Sequence, residues 1–571
     1  MNQNLITVLV RFLMRFGVFI LVTTPLTSIL AQNSARAQDQ SVQDQLEALR
    51  KEIADLKKNQ ASALREGPAP RIQQQGTGQN IGGTTEKESL LDNTNFDASS
   101  RLSVVERNQE IAAEEATKKA ATAPNISFND KGFIIKSADN QHALRLGGTL
   151  QLDDRQYVDQ ANDANNQFLI RRARVYASGT LWKYIDFRFM PDFGLVDAQN
   201  LRNTAIIADG WLNFKAIPEV QVQVGKYKPP LGLEMLQSDQ NTVFMERSAT
   251  TQLQPSRALG VQVHGLLFDD ELSYAVGVFS ESPNNYTQTV DTTLGYGIAA
   301  RLFARPFVND ADELAGLGFG VAGSYANDFD PSAAGNSAIS NGLNSYASDT
   351  GNTFFNWNNG STGTPTRDGA IYRIIPQAFY YYGPWGIQAE YILQSQGVEL
   401  VGGQSGSNTN TRNRTNPQIR DTSFAWQTTL SYNITGEDNS FDSLTPANNF
   451  DFFQTEDPDA TGLWQVAFRV DQLQLDEDLF QKLPGSGRYN GTLANNTTSN
   501  AAVNNARGFF SYSLGFNWYL NPNIRAYANF VYTPWYYASR DNGRGGNGVP
   551  PNNSSITNDE FGITTRLQIF F

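Results

Sequence analysis

From residue 142 to residue 571 the chain keeps returning to one pattern, an apolar side chain at every second position. In 142–157 the even positions give Leu144, Leu146, Gly148, Leu150 and Leu152, and the odd ones Arg145, Thr149, Gln151, Asp153 and Arg155. Successive side chains of a strand point to opposite faces, so each such segment has one apolar and one polar side. The dyad recurs in Ile185, Phe187 and Phe189 against Asp186 and Arg188, and in Phe561, Ile563, Leu567, Ile569 and Phe571 against Thr564, Arg566 and Gln568. A soluble sandwich would alternate too. Three features favour a membrane. The segments often run to roughly 10–15 residues, the length of a tilted spanning strand. Aromatics crowd strand ends, as in Tyr380-Tyr381-Tyr382 with Trp385, Trp518-Tyr519 and Trp535-Tyr536-Tyr537. Tight turns also alternate with long links, as they do between the two rims of an outer-membrane barrel.

Sixteen strands are expected, over 142–158, 168–181, 184–193, 206–215, 219–226, 258–267, 271–280, 292–304, 315–326, 371–382, 386–395, 421–434, 461–473, 507–520, 524–538 and 559–571. The fold class is therefore all-β, a transmembrane antiparallel barrel. Long links fall at 227–257, 327–370, 396–420, 474–506 and 539–558. One link breaks the rule: 435–460 lies on the short-turn side yet spans 26 residues, so it is either an ordered periplasmic excursion or a sign of miscounting. Closure removes the sheet edges that lipid cannot satisfy. A barrel of sixteen strands leaves an aqueous channel, so the chain reads as a pore.

The N-terminus sets the compartment. Arg11 and Arg15 precede an apolar run over 16–31, and Ala35-Arg36-Ala37 offers small residues for cleavage, so 1–37 reads as a signal peptide. Residues 38–65 carry Val42, Leu46, Leu49, Ile53 and Leu56 at coiled-coil spacing, a seam for self-association or for a lone amphipathic helix. Residues 66–125 read as a flexible linker with a helical stretch over 104–121, and 126–571 as the barrel. The 571 residues include no cysteine and two histidines, which excludes disulfide scaffolds, thiol nucleophiles and most zinc or haem sites. No cofactor or metal is expected. The formal charge of −13 with dispersed arginine excludes a nucleic-acid binder. Neither His142 nor His264 stands beside a nucleophile, so no enzyme is expected, although residue type alone leaves a carboxylate-based hydrolase open.

Several segments carry a family resemblance. Arg171-Arg172-Ala173-Arg174 is followed by Gly179, and Asp209-Gly210-Trp211 stands in the fourth strand. Residues 225–234 read GKYKPPLGLE, followed by Phe244-Met245-Glu246-Arg247-Ser248 and then Pro255, Arg257 and Gly260. Later come Thr435-Gly436-Glu437, Phe450, Pro458 and GLWQVAFRV over 462–470. This order resembles the phosphate-selective porin O and P family. The resemblance implies a homotrimeric, sixteen-stranded porin of the bacterial outer membrane, whose third long loop folds inward as a constriction. It also implies an extended segment after Thr-Gly-Glu.

On this reading the constriction holds Glu234, Asp239, Glu246, Arg247 and Arg257, with Lys226 and Lys228 at its entrance. Family members that select phosphate use a ladder of inward arginines plus loop lysines. The lumen-parity bases are Arg145, Arg155, Arg172, Arg174, Arg188, Arg301, Arg305, Arg469, Arg525 and Arg566, and the acids include Asp153, Asp186, Asp192, Asp209, Glu390 and Asp471. The anion pathway expected is Arg172, Arg174, Arg188, Lys226, Lys228, Arg247, Arg257, Arg301, Arg305 and Arg469. The solutes expected are small anions such as phosphate, and the outer surface faces outer-membrane lipid. The alternatives are a general or cation- and sugar-permeable porin, or a structural barrel tethered by its coil. A lone lumen arginine also reads as half of an ion pair, Arg188 with Asp186 for example. Pro229-Pro230 reads equally as a strand stop that aims the loop. Arg171 has lipid parity and reads as interfacial or bulged.

Overall fold

The computed structural model describes residues 103–104, 106–115, 122–129, 132–158, 166–194, 206–280, 296–310, 313–327, 343, 345–355, 357, 364–401, 418–451, 460–480, 506–536 and 559–571. The signal peptide and coiled coil lie outside them. Of the stretch expected to be helical, 106–115 is helix.

A short hairpin, β1 (Asn125–Asn129) and β2 (Gly132–Lys136), precedes the barrel. The first nine barrel strands are β3 (Ala143–Tyr157), β4 (Gln167–Leu181), β5 (Ile185–Asp192), β6 (Ile206–Ile217), β7 (Val220–Tyr227), β8 (Ala258–Leu267), β9 (Leu272–Ser280), β10 (Tyr296–Ala304) and β11 (Leu317–Ala326). A two-stranded hairpin of β12 (Tyr346–Ala347) and β13 (Thr353–Phe355) interrupts them. The wall resumes with β14 (Thr364–Tyr382), β15 (Trp385–Val401), β16 (Gln418–Asn433), β17 (Leu463–Gln474), β18 (Gly508–Asn521), β19 (Ile524–Tyr536) and β20 (Asp559–Phe570). These are the sixteen strands expected.

Each barrel strand pairs antiparallel with the next, and β20 closes on β3 with Gly562 opposite Tyr157 and Arg566 opposite Asp153. Beyond the end of β20, β2 takes over the same edge of β3, placing Phe133 opposite Leu146. The turns are tight. Trp182 and Lys183 both have positive φ, the geometry that lets a two-residue turn follow strand twist. The side chains obey the dyad: Leu212, Val222, Val276, Phe468 and Leu567 face outward and are exposed, whereas Gln151, Asn517 and Gln568 face inward and are buried. At the short-turn rim Trp385 lies 4.4 Å from Tyr432, and Trp464 stacks 5.0 Å from Trp518, as in an interfacial aromatic belt.

Two irregularities matter for function. In the β3–β4 pair Gln151 faces Arg172 and Leu152 faces Ile170, leaving Arg171 of β4 as the extra residue of a bulge. The 435–460 link is an excursion and not a miscount. Its described part packs against the barrel, with Phe441 stacked 5.3 Å from Phe379 and the Asn439 N–H donating to Gly383 O at 2.6 Å.

Candidate functional site

Residues 228–257, between β7 and β8, turn into the barrel. Pro229 and Pro230 lack the N–H that a ladder needs, so pairing stops there. A short helix, α1 (Leu233–Leu236), and a 3-10 turn over Ala249–Leu253 shape the loop. Gly232 sits where a side chain would collide with Gln254 and Glu390, and its N–H donates to Gln254 Oε1 at 2.8 Å. Leu231, Leu233, Phe244, Met245, Ala249 and Leu253 are buried. Each large apolar side chain so buried contributes about 1.5–3 kcal/mol.

One side of the loop is held by its main chain. Gln377 donates to Leu231 O at 3.0 Å and Arg373 to Leu253 O at 2.8 Å. Arg469 donates to Glu246 O at 3.0 Å, Asn517 to Val243 O at 2.9 Å and Arg566 to Met245 O at 2.6 Å. In return, Asp471 accepts the Ala249 N–H at 2.8 Å and Glu390 the Glu234 N–H at 3.1 Å. These partners come from β14, β15, β17, β18 and β20. They satisfy loop N–H and C=O groups that burial would otherwise leave unpaired. Arg469 also pairs with Asp349 at 2.6 Å and lies over the Phe244 ring at 4.6 Å.

The other side of the loop is electrostatic. Asp239 accepts hydrogen bonds from Arg174 of β4 and Arg247 of the loop, and it lies 3.6 Å from Arg172 Nε and 4.0 Å from Arg257 Nη2. Arg174 further pairs with Asp192 at 2.6 Å, and Arg257 with Asp209 at 2.7 Å. A second node is Glu246, bound by Arg155 and Arg171 at 2.8 Å each and by Arg566 at 3.1 Å. Burial pushes the Asp239 carboxyl up, but Arg172, Arg247 and Arg174 outweigh it and hold the group well below the usual range. Glu246 behaves alike: burial opposes, Arg171 and Arg155 prevail. Lys228 goes the other way, since burial and then Arg247 drive its ammonium well below its ordinary value.

Between this side of the loop and the wall lies a cavity of about 670 Å³. Six arginines line it (Arg155, Arg171, Arg172, Arg174, Arg247 and Arg257) against four acids (Asp192, Asp239, Glu246 and Asp349). The surplus is two positive charges, 6 − 4. A guanidinium presents planar paired donors that match phosphate and carboxylate oxygens. Among the described residues no group of three or more His, Asp or Glu is placed to hold a metal.

Of the pathway residues expected from sequence, Arg172, Arg174, Arg247 and Arg257 meet at this cavity. Arg188 stands just beyond it, 3.4 Å from Asp209 and over the Tyr176 ring at 4.6 Å. It does not pair with Asp186, which is taken by Lys215 at 2.7 Å. Lys226 is buried with Nζ donating to Ile207 O at 2.7 Å, and Lys228 Nζ donates to Gln237 O at 2.7 Å. Arg469 braces the loop. Arg301 lies over Phe303 at 4.4 Å and donates to Gln377 at 3.0 Å, apart from the cavity. Arg305 is exposed past the end of β10.

Two contributors to the cavity were not among the expected pathway residues. Arg171 is bulged, one of the two readings its parity allowed, and the bulge brings it onto Glu246 instead of the lipid face. The β11–β14 link also turns inward, so that Ser348, Asp349 and Gly351 line the cavity, and Thr350 O accepts from Arg155 at 3.1 Å and from Tyr157 at 2.9 Å. Its signal was the apolar Phe354-Phe355 inside a polar link; both rings are buried.

The family model described as phosphate-selective porin O and P matches residues 144–543. Porin O of Pseudomonas aeruginosa is 23% identical over 467 residues, covering 77% of this chain and 91% of its own. Similar solved structures include an anion-selective porin from Comamonas acidovorans, at 11% identity and a TM-score of 0.40, over 75% of this chain and 100% of that one. Another is the outer membrane channel DcaP of Acinetobacter baumannii, at 10% identity and a TM-score of 0.40, over 76% of this chain and 99% of that one.

Proposed function

Because the chain belongs to the phosphate-selective porin O and P family, it is an outer-membrane β-barrel porin, and we propose that its channel favours small anions, phosphate among them, at the arginines beside the inward loop. The observation that carries this reading is the convergence of six arginines on one cavity with four carboxylates. Basic side chains at a constriction tune anion passage by replacing water around the ion. The net charge of the whole chain, −13, does not oppose this, because charges beyond about 8–10 Å are screened at physiological salt.

The test is the reversal potential of single channels under a chloride gradient, then with phosphate added. Wild type should favour chloride, and phosphate should slow chloride current by competing for the same donors. Changing Arg247 and Arg257 to Glu should turn the channel toward cations. Cation selectivity in wild type would instead support a general porin. That second reading is favoured by the carboxylates at Asp239, Asp192, Asp209 and Glu246, which engage every lining arginine.

The assembly we propose is a homotrimer. The outward faces of β6 to β9 carry Leu212, Phe214, Val222, Val224, Val261 and Val276, an apolar wall on which, among the described residues, no stacked aromatic pair like those of β14 to β19 is found. Such a wall suits another barrel as well as lipid. The mass of the detergent-solubilised protein tests it: a monomer would refute the trimer and leave the channel reading intact. No catalytic role is proposed. His142 Nδ1 accepts the Trp182 N–H at 3.3 Å, and His264 is bonded to Asn213 at 3.0 Å, neither beside a nucleophile.

A further inference from the structure

The arginines that line the large cavity are not held alike. Five of the six donate to a carboxylate, as Arg174 does to Asp192 at 2.6 Å and Arg257 to Asp209 at 2.7 Å. Arg172 is the exception. Its Nε stands 3.6 Å from Asp239, beyond hydrogen-bond length, and is sealed without a partner. Among the described residues it makes one hydrogen bond, from Nη1 to Gln151 Oε1 at 2.7 Å. Nη2 makes none, and unlike Nε it is not sealed, on a residue that lines the cavity.

Gln151 of β3 is fully buried, opposite Arg172 on one side and Gln568 of β20 on the other, across the seam that closes the barrel. A guanidinium has donors only, so the amide must turn its oxygen to Arg172. That turns Gln151 Nε2 to Gln568 Oε1 at 2.6 Å, and in turn Gln568 Nε2 to Gln240 O of the inward loop at 3.1 Å. Every amide end in the row is satisfied in a single direction. A carboxylate at 151 would cancel the charge of Arg172, and an apolar side chain would release it toward Asp239. An amide does neither. We propose that Gln151 is a positioning residue for anion recognition: its neutral acceptor holds Arg172 so that the open Nη2 edge serves the passing anion. The inference rests on the anion-favouring reading above and names the arginine that donates and the residue that aims it.

Chloride current through single channels, titrated with phosphate, tests it. Q151M should need about tenfold more phosphate than wild type to halve the current, the worth of one charge-assisted hydrogen bond. Its reversal potential in a potassium chloride gradient should not move, because no formal charge is lost. Q568M is the structural control. It cuts the tie to Gln240 but keeps the Arg172 contact, so it should melt lower, as Q151M does, with the phosphate block unchanged. An undiminished block in Q151M, or equal weakening in both variants, would overturn the assignment. Should Q151M fail to fold, Q151E decides: it keeps the Arg172 contact but makes it an ion pair, so the block should again weaken, and an unchanged block would defeat the role. A wild-type channel that phosphate does not block would refute the anion reading itself, and this inference with it.

Discussion

The two inner walls that face the inward loop use the same residue types for opposite ends. On the β3–β6 side, arginines reach carboxylates around an open cavity, and Arg171 keeps a quarter of its side chain exposed at 25%. On the β14–β20 side, Arg469 and Arg566 have side-chain exposures of 2% and 0% and are spent on the loop's carbonyls and on buried acids. Strand parity says which side chains face inward. Whether an inward arginine serves an ion or braces a loop depends on what lies opposite it, and that is fixed by the path of the loop.

Breaking the brace should have the largest effect. R469L would leave Asp349, Asp471 and Glu234 buried without their cation, at a cost of about 3–5 kcal/mol. R171L, on the half-open side, should cost less than half as much. Melting of both variants in detergent checks this, and equal losses would erase the contrast between the walls.

Acid should loosen the cavity side next. Asp239 and Glu246 have folded pKa values held well below their unfolded values of about 4. Their contribution to stability is therefore complete above pH ~4 and is lost as pH falls through the folded values. Single-channel conductance should stay constant down to about pH 4 and change below it. A transition near neutral pH would mean that these acids do not hold the loop.

D239N should loosen the loop as acid does at this one carboxylate, and it should also shift selectivity. It removes one negative charge from among four arginines and should raise the chloride-to-cation permeability ratio by about threefold. Reversal potentials measure it, and a shift toward cations would contradict the role given to this cluster. R305E should do least, changing selectivity by no more than the experimental scatter, because Arg305 is exposed beyond the end of β10.

Sequence pattern alone located all sixteen strands, since alternation and turn chemistry are local and each strand repeats them. It also located the inward loop, through its prolines and its likeness to a family. Pairings across strands were another matter. Arg188 finds Asp209 of β6, not Asp186 two residues along its own strand, because the acid that lies diagonal on the next strand is set by register, and period two carries no register. Arg171 was read as interfacial or bulged, and the bulge is there, but what the inserted residue turns to face, Glu246, is set by the path of the loop. Asp349 was hidden by length: the β11–β14 link reads as an ordinary outer loop unless Phe354-Phe355 is taken as the anchor of an inward fold.

The contacts that pin the inward loop also impose an order on assembly. Ala249 reaches Asp471 across 222 positions of chain, and Gln240 reaches Gln568 across 328. Contacts so distant in sequence close late, because the intervening chain must lose its freedom first. The loop precedes eleven of the sixteen strands, among them β14, β17, β18 and β20, which donate to its main chain. A half-built barrel therefore has its arginines but no constriction. Selectivity is acquired at the moment of closure, as a property of the finished ring.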